Sequence, residues 1–343
     1  MPTLTDLNVS NGDWIDLEEA ARTAAIAGGI SCMSYFRGAL ARDEVLTSSL
    51  NAATTADIQA TSAILTSLAD TIPAIAAKMN LGHSIFAEEL ELTTMDPAAW
   101  SDRDRRMAAV VSRLGLGAQH VKHTTHDFEK SFEHCVAVLF DALDGTTNFR
   151  SGLTYFCTAV ALFLGGEPRV GAIYDPNRNV AYYGSLRTNR KDGTPNVTKA
   201  WSWPISAGYR LPLQPQGRRS GPRKMLATHL TRSKPPKRQE MIELLSALSA
   251  DADGTFMINS GLLALALVAG GEFSAFVTNY TNTWDIAAGD ALIRAAGGQV
   301  TDFSGRAIEY GGDTKVAVVA TADEALHGEL LAAIQKCFGT SVI

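Results

Sequence analysis

A chain of 343 residues, 46% of them hydrophobic, has material for one large domain or two tightly packed halves. Its formal net charge of −6 argues against bulk attraction to nucleic acid. Four cysteines (Cys32, Cys135, Cys157 and Cys337) show neither zinc-ligand spacing nor a disulfide framework. They read as reduced thiols of a cytoplasmic protein. The polar start, Met-Pro-Thr-Leu-Thr-Asp, lacks a signal peptide's basic end and apolar core. No uninterrupted apolar run reaches membrane-spanning length, so a soluble chain without membrane contact is expected.

In chain order, residues 14–41 are predicted to form a long helix, capped by Asp16, with Glu18 and Glu19 in its first turn. Ile15, Ala20, Ala24, Ile30, Met33 and Phe36 give it an apolar side, and Gly28-Gly29 a place to bend. Residues 54–78 read as a second helix that Pro73 can kink or divide. Its cap is Thr54 or Thr55, and Ile58, Ala60, Ile64, Leu65, Leu68 and Ile72 face the core. His83–Ala87 is a short strand. Residues 90–133 are polar and irregular, with one helix near 102–113. Val136–Phe140 is a buried strand. Tyr155–Leu164, Arg169–Ile173 and Ala181–Gly184 suggest an antiparallel meander, turning at Gly165-Gly166 and Asp175-Pro176. Residues 185–224 look loop-like. A strand at Lys224–Thr228 opens the second half. Helices at Glu240–Leu248 and Leu262–Val268 follow, then a strand at Ala275–Thr278. A helix at Asp285–Ala296 stops at Gly297-Gly298. Val316–Ala320 is a late strand and Ala322–Phe338 the last helix. This mixture, without internal repeats, predicts a layered α/β architecture.

The chemistry concentrates in Val136-Ala-Val-Leu-Phe-Asp-Ala-Leu-Asp-Gly-Thr-Thr-Asn-Phe149. An apolar strand ends in two acids, Asp141 and Asp144. Gly145 breaks it, and Thr146 and Thr147 offer hydroxyls where a helix begins. Acids at a strand end hold hard cations through oxygen. Free N–H groups at a helix start hold phosphate. Together they point to metal-assisted phosphate chemistry.

This stretch closely resembles the signature of the inositol monophosphatase family, Asp-Pro-Ile/Leu-Asp-Gly-Thr-Thr-Asn-Phe, with Ala142 in place of proline. Phe86-Ala-Glu-Glu89 resembles the family's Gly-Glu-Glu element, with Ala87 for glycine. Thr283-Trp-Asp-Ile-Ala-Ala-Gly-Asp-Ala-Leu292, followed by Ala295-Ala-Gly-Gly298, resembles its second signature. The resemblance implies an α/β (α+β) fold, a layered αβαβα sandwich of the inositol monophosphatase and fructose-1,6-bisphosphatase type. An N-terminal half, 1–205, would carry Glu88 and the Asp141–Asp144 motif. A C-terminal half, 206–343, would carry Asp285, the two forming one catalytic unit. It further implies Mg²⁺-dependent hydrolysis of a small phosphate monoester, inositol-phosphate-like or a sugar phosphate, by direct attack of water.

The implied ligands of two or three Mg²⁺ ions are Glu88, Asp141, the carbonyl of Leu143, Asp144 and Asp285, with Asp141 bridging. Thr146 would hold the attacking water, Glu88 would help deprotonate it, and Asp57, in Thr54-Thr-Ala-Asp57, would orient Thr146. The amides of Gly145 and Thr146 would hold phosphate, beside Thr147. Asn259-Ser-Gly261 loosely matches a substrate-facing stretch, which places Ser260 and Gly261 at the leaving group. Taken singly, the same residues also fit structural roles: Asp285 and Ser260 as helix caps, Asp144-Gly145 as a turn pair. Thr278 stands where an inositol-binding acid is common, which puts inositol itself in question.

Three features fall outside these signatures. His120, His123 and His126 recur every three residues on a polar stretch, a pattern that fits a solvated face better than a metal clasp. The 53-residue separation of Glu88 from Asp141 suggests an insertion there. Between Asp192 and Glu240 there are ten Lys or Arg residues and no acid. Such a run is usually a solvated loop, but residues 193–239 also suit a second phosphate, a nucleotide or nucleic acid. The alternatives are therefore a phosphatase of bisphosphates or nucleotides, such as fructose 1,6-bisphosphate or 3′-phosphoadenosine 5′-phosphate, and a regulatory RNA- or protein-binding member. Relatives are commonly homodimers.

Overall fold

The computed structural model describes residues 9–36, 55–87, 105, 135–187, 199–213, 225–229, 237–250, 252–310 and 315–338. Seven strands form the first sheet in sequence order: β1 (Gly82–Ala87), β2 (Cys135–Asp144), β3 (Cys157–Leu164), β4 (Glu167–Asp175), β5 (Val180–Ser185), β6 (Lys199–Pro204) and β7 (Leu211–Pro212). β1 runs parallel to β2, and every later neighbour is antiparallel. The expected meander is present. Its first turn has positive φ at both Gly165 and Gly166, the backbone that a tight hairpin requires.

The second sheet has the order β11-β12-β10-β8-β9. Its strands are β8 (Met225–Thr228), β9 (Gly254–Met257), β10 (Ala275–Asn282), β11 (Gln299–Thr301) and β12 (Lys315–Thr321). The helices are α1 (Asn11–Met33), α2 (Thr55–Leu68), α3 (Thr71–Lys78), α4 (Thr146–Arg150), α5 (Lys237–Ser249), α6 (Gly261–Ala269), α7 (Ala287–Ala296) and α8 (Glu324–Phe338).

Among the described residues, three apolar cores hold five layers together. The first joins α1, α2 and α3 to one face of the first sheet, through Trp14, Leu17, Ile64, Leu65, Phe140 and Val160. The middle core lies between the sheets and is filled by α6 and α7, with Phe163 and Ile173 on one side and Val318 on the other. The third packs α5 and α8 on the outer face of the second sheet, through Leu244, Val277, Val319 and Leu330. This is the expected αβαβα sandwich. Because α6 is buried on both faces, it reads as a continuous apolar run; α7 carries Asp290 and Arg294, which pair with each other.

Several expectations are corrected. α1 starts at Asn11, because Ser10 and Asp13 form a capping box; Asp16 is not its cap. Ile15, Ile30 and Met33 are exposed. The buried stripe instead uses Leu17, Ala21, Ala24, Gly28 and Cys32, small residues that let the helix approach the sheet. A Cβ on Gly28 would sit 2.8 Å from Thr158, so the glycines serve close packing and the helix continues through them.

The second helix is two, α2 and α3, divided before Pro73. Proline is tolerated in a first turn, where no intrahelical N–H bond is lost. Together, Thr55–Lys78 is long and apolar enough to span a membrane by length and composition alone. Here its apolar face is core: Ile58, Ile64, Leu65, Leu68 and Ile72 are buried.

The stretch 185–224, expected as loop, contains β6 and β7. The first sheet therefore extends past residue 205. β9 and β11, of four and three residues, were not foreseen; they are too short to show a period. The helix expected near 102–113 and the histidines at 120, 123 and 126 lie outside the described residues, residue 105 excepted.

Candidate active site

The antiparallel pairing of β2 with β3 shifts register between Asp141 and Asp144. An irregularity of this kind re-aims side chains at the end of a strand. It leaves both carboxylates buried at the strand end. Asp141 Oδ1 accepts the Leu143 amide at 2.9 Å. The Thr146 hydroxyl donates to the Leu143 carbonyl at 3.0 Å. Gly145 follows with φ of 91°, and a Cβ there would lie 2.7 Å from the Tyr155 carbonyl oxygen. Only glycine fits this left-handed, crowded turn. It starts α4, with Thr146 first in the helix and Thr147 exposed.

Asp144 is tied to the other half of the molecule. Its Oδ2 accepts the Ser260 hydroxyl at 2.6 Å and the Leu262 amide at 2.8 Å. The Cys157 thiol lies 3.8 Å from the same oxygen. Ser260, only 1% exposed, thus steadies Asp144. It makes no side-chain capping bond to α6. Gly261, first in α6, borders the backbone of Asp285: a Cβ there would be 3.5 Å from the Asp285 carbonyl oxygen.

Asp285 is not the N-cap of α7; Ile286 holds that position. Its Oδ2 instead accepts from Thr281 Oγ1 at 3.2 Å, the Asn282 amide at 3.3 Å and Asn282 Nδ2 at 3.0 Å. Lys315 Nζ bonds Asn282 Oδ1 from the start of β12. The surroundings of Asp285 are protein-dense, although the residue keeps a partly exposed edge.

Burial pushes the Asp144 carboxyl up to about 7, and the negative charge of Asp285 adds to the shift. Burial raises Asp285 too, against the bonds from Asn282 and Thr281 and the charge of Lys315. Two buried acids that repel each other create a demand for positive charge. Oxygen donors of this kind suit a hard divalent cation. Among the described residues, no three His, Cys, Asp or Glu side chains form a ready-made metal set. Ala87, opposite Phe140 in the β1–β2 ladder, ends the described part of that segment, and Glu88 lies beyond it. Asp57 is buried in the first turn of α2.

The model of the inositol monophosphatase family matches residues 13–338. The chain belongs to the inositol monophosphatase family. A Nus factor SuhB from Salmonella typhimurium is 32% identical over 186 residues, covering 52% of this chain and 62% of that protein. The chain thus spans about three fifths of the length of such curated relatives. An inositol monophosphatase from Anabaena (Nostoc) sp. PCC 7120 superposes with a TM-score of 0.63 at 20% identity, covering 97% of this chain and all of that one. The 2′AMP-bound SaIMPase-II superposes with a TM-score of 0.60 at 17% identity, covering 93% of this chain and 94% of that one. These likenesses show that the inositol monophosphatase fold extends along nearly the whole chain.

Three residues near the site carried no role in the sequence reading. Asn148 Nδ2 donates to the carbonyls of Tyr155 and Ile258, each at 2.6 Å. It joins α4 to the strand-to-helix turn before α6. Its place within the first signature was the available signal. Lys315 and His229 had none, because only the folded second sheet brings them to Asp285 and Gly261.

Proposed function

We propose that this chain is a Mg²⁺-dependent phosphatase of a small phosphate monoester, inositol-phosphate-like or a sugar phosphate. The observation that carries this reading is the meeting of Asp144, from β2, with Asp285, from the turn before α7. They lie beside the Gly145 turn and share burial and mutual repulsion. Asp141, Asp144, Asp285, the Leu143 carbonyl and Glu88 would hold two or three ions. Mg²⁺ bound there would supply Lewis-acid activation of water and neutralise charge on the phosphate. Family membership supports this, since the family is generally metal-dependent.

The chain's own groups divide the remaining work. The Asp141 bond to the Leu143 amide and the Asp144 bonds to Ser260 and Leu262 fix the acids before substrate arrives. The Thr146 hydroxyl turns from the Leu143 carbonyl to the attacking water, and Glu88 takes the water's proton. Asp57 orients Thr146 from behind. The amides of Gly145 and Thr146, with the Thr147 hydroxyl, receive phosphate oxygens. Gly261 borders the leaving group. The halves 1–205 and 206–343 act as one unit because the middle core uses both.

A bisphosphate or nucleotide substrate is the nearest alternative, favoured by the 2′AMP of SaIMPase-II and the acid-free run 193–239. A regulatory role is the second reading. The Salmonella relative is named a Nus factor, and the same basic run suits RNA or a protein partner. A cytoplasmic homodimer fits the four free thiols and the exposed Phe256 and Met257 on edge strand β9. The deciding experiment is a screen of phosphate esters, with and without Mg²⁺, measuring released phosphate. Turnover that requires Mg²⁺ supports the enzyme. Salt-sensitive RNA binding without any turnover overturns it in favour of the regulatory reading.

A further inference from the structure

β12 begins at Lys315, and the β10–β12 ladder sets that residue opposite Asn282. The register of β10 on β12 shifts between Thr278 and Thr281. An irregularity of this kind re-aims the side chains that follow it. Beyond it, the Thr281 hydroxyl, the Asn282 amide and Asn282 Nδ2 all donate to Oδ2 of Asp285. Oδ1 is thereby the oxygen left for a cation. Lys315 Nζ donates to the carboxamide oxygen of Asn282, and the ammonium stands 5.1 Å from the centre of the Tyr280 ring. A lysine ammonium has only donors, and an ionised carboxylate only acceptors. A carboxamide between them satisfies both in one orientation alone, oxygen toward the lysine and nitrogen toward the acid. Asn282 has that orientation. The other acid is held differently: the donors to Asp144 are Ser260, Leu262 and Cys157, all uncharged.

We propose that Lys315 is a positioning residue for the metal site: through Asn282 it holds Asp285 by Oδ2 and leaves Oδ1 to the divalent cation. The inference rests on the phosphatase reading above and adds to that site a residue outside the family signatures. Lys315 acts at one remove, as the outer partners of metal ligands do. Without the ammonium nothing fixes the flip of the carboxamide, and half a turn would set its oxygen against Oδ2. The charge of Lys315 also opposes a cation on Asp285, so two effects compete. Lys315 and Asn282 are both partly exposed, and solvent and salt screen that repulsion. Lys315 Nζ bonds Asn282 directly, whereas Asp285 lies beyond the carboxamide, so orientation outweighs repulsion.

The test is calorimetric titration of Mg²⁺ and Mn²⁺ into the substrate-free protein, a readout independent of turnover. Wild type is compared with Lys315→Met, Lys315→Arg, Asn282→Ala and the double variant of Lys315→Met with Asn282→Ala. Asn282→Ala should weaken binding about tenfold. Lys315→Met should weaken it about three- to tenfold. Lys315→Arg keeps donors and charge and should stay within about twofold of wild type. The double variant should bind as Asn282→Ala does, because the lysine acts only through that carboxamide. In phosphate release, the Mg²⁺ concentration for half-maximal rate should rise with Kd, while kcat at saturating Mg²⁺ and KM for the ester change by less than about twofold. A Lys315→Met protein that binds metal as tightly as wild type, or more tightly, overturns the inference. So do additive losses in the double variant, or equal losses in Lys315→Arg and Lys315→Met. A wild type that binds metal but releases phosphate from no ester overturns the phosphatase reading, and the calorimetry still decides this inference. A wild type that binds neither ion overturns both.

Discussion

Asp144 and Thr146 show how much of the proposed chemistry depends on single atoms. The bonds from Ser260 and Leu262 converge on one oxygen of Asp144, which fixes the direction of the other. Asp141→Asn keeps the shape of its side chain and loses its charge. Turnover should be abolished while the far-UV CD spectrum and Tm stay close to wild type; retained activity at saturating Mg²⁺ would refute the metal assignment. Lithium should inhibit, and full insensitivity would count against the same assignment. Thr146→Ala should lower kcat by about a hundredfold or more with little change in KM, since water positioning matters chiefly in the transition state. Thr146→Ser keeps the hydroxyl and should retain most activity. Equal losses in the two variants would show that Thr146 serves packing.

At the scale of elements, glycine decides how closely a helix and a sheet can approach. A Cβ on Gly171, in β4, would come 2.1 Å from the Ala288 carbonyl oxygen in α7. Backbone cannot move aside cheaply, so Gly171→Ala should cost about 3 kcal/mol in chemical denaturation. Gly328, inside α8, has nothing within 4 Å of its ideal Cβ. Gly328→Ala should therefore stabilise by about 0.5–1 kcal/mol through reduced unfolded-state entropy. Opposite signs for the two variants are the check.

His327, in α8, extends the argument to pH. Its ring nitrogens lie 2.9 Å from Thr301 Oγ1 and 3.0 Å from Thr321 Oγ1, tying α8 to β11 and β12. Burial holds its pKa below the usual 6.5. The unfolded chain then binds more protons than the folded one below pH 6.5, so this contribution to stability is lost as pH falls. The Tm advantage of wild type over His327→Gln should narrow on acidification below pH 6.5. A widening gap would reverse the assignment.

Across the whole molecule, the site lies where two sheets and their shared helical layer meet. Asn148 ties this junction together from α4, binding the carbonyls of Tyr155 and Ile258. Asn148→Ala leaves buried carbonyls unpaired and should destabilise by about 1–3 kcal/mol, lowering Tm by several degrees. Activity should fall further than the stability loss explains, because the turn that holds Ser260 against Asp144 is released. Unchanged kcat in a folded Asn148→Ala protein would separate the clamp from the site.

The sequence by itself determined the layered architecture, most long elements and the family. Those follow from local signals: apolar periods, Gly-Gly stops, and signatures whose spacing is fixed along the chain. It also marked Asp141, Asp144 and Asp285 as acids at element ends. Tertiary structure decided which face of α1 is buried, because Ile15 and Ile30 lose to a stripe of small residues only when a sheet must approach. It decided that Asp285 serves a turn closed by Asn282 and Thr281, and that Ser260 holds Asp144 across 116 residues. It alone brought His229 to Gly261 and Lys315 to Asn282. Such contacts join residues with no fixed spacing along the chain, and a pattern read locally has no term for them. They arise when burial stacks separate layers and each polar group within must find its partner.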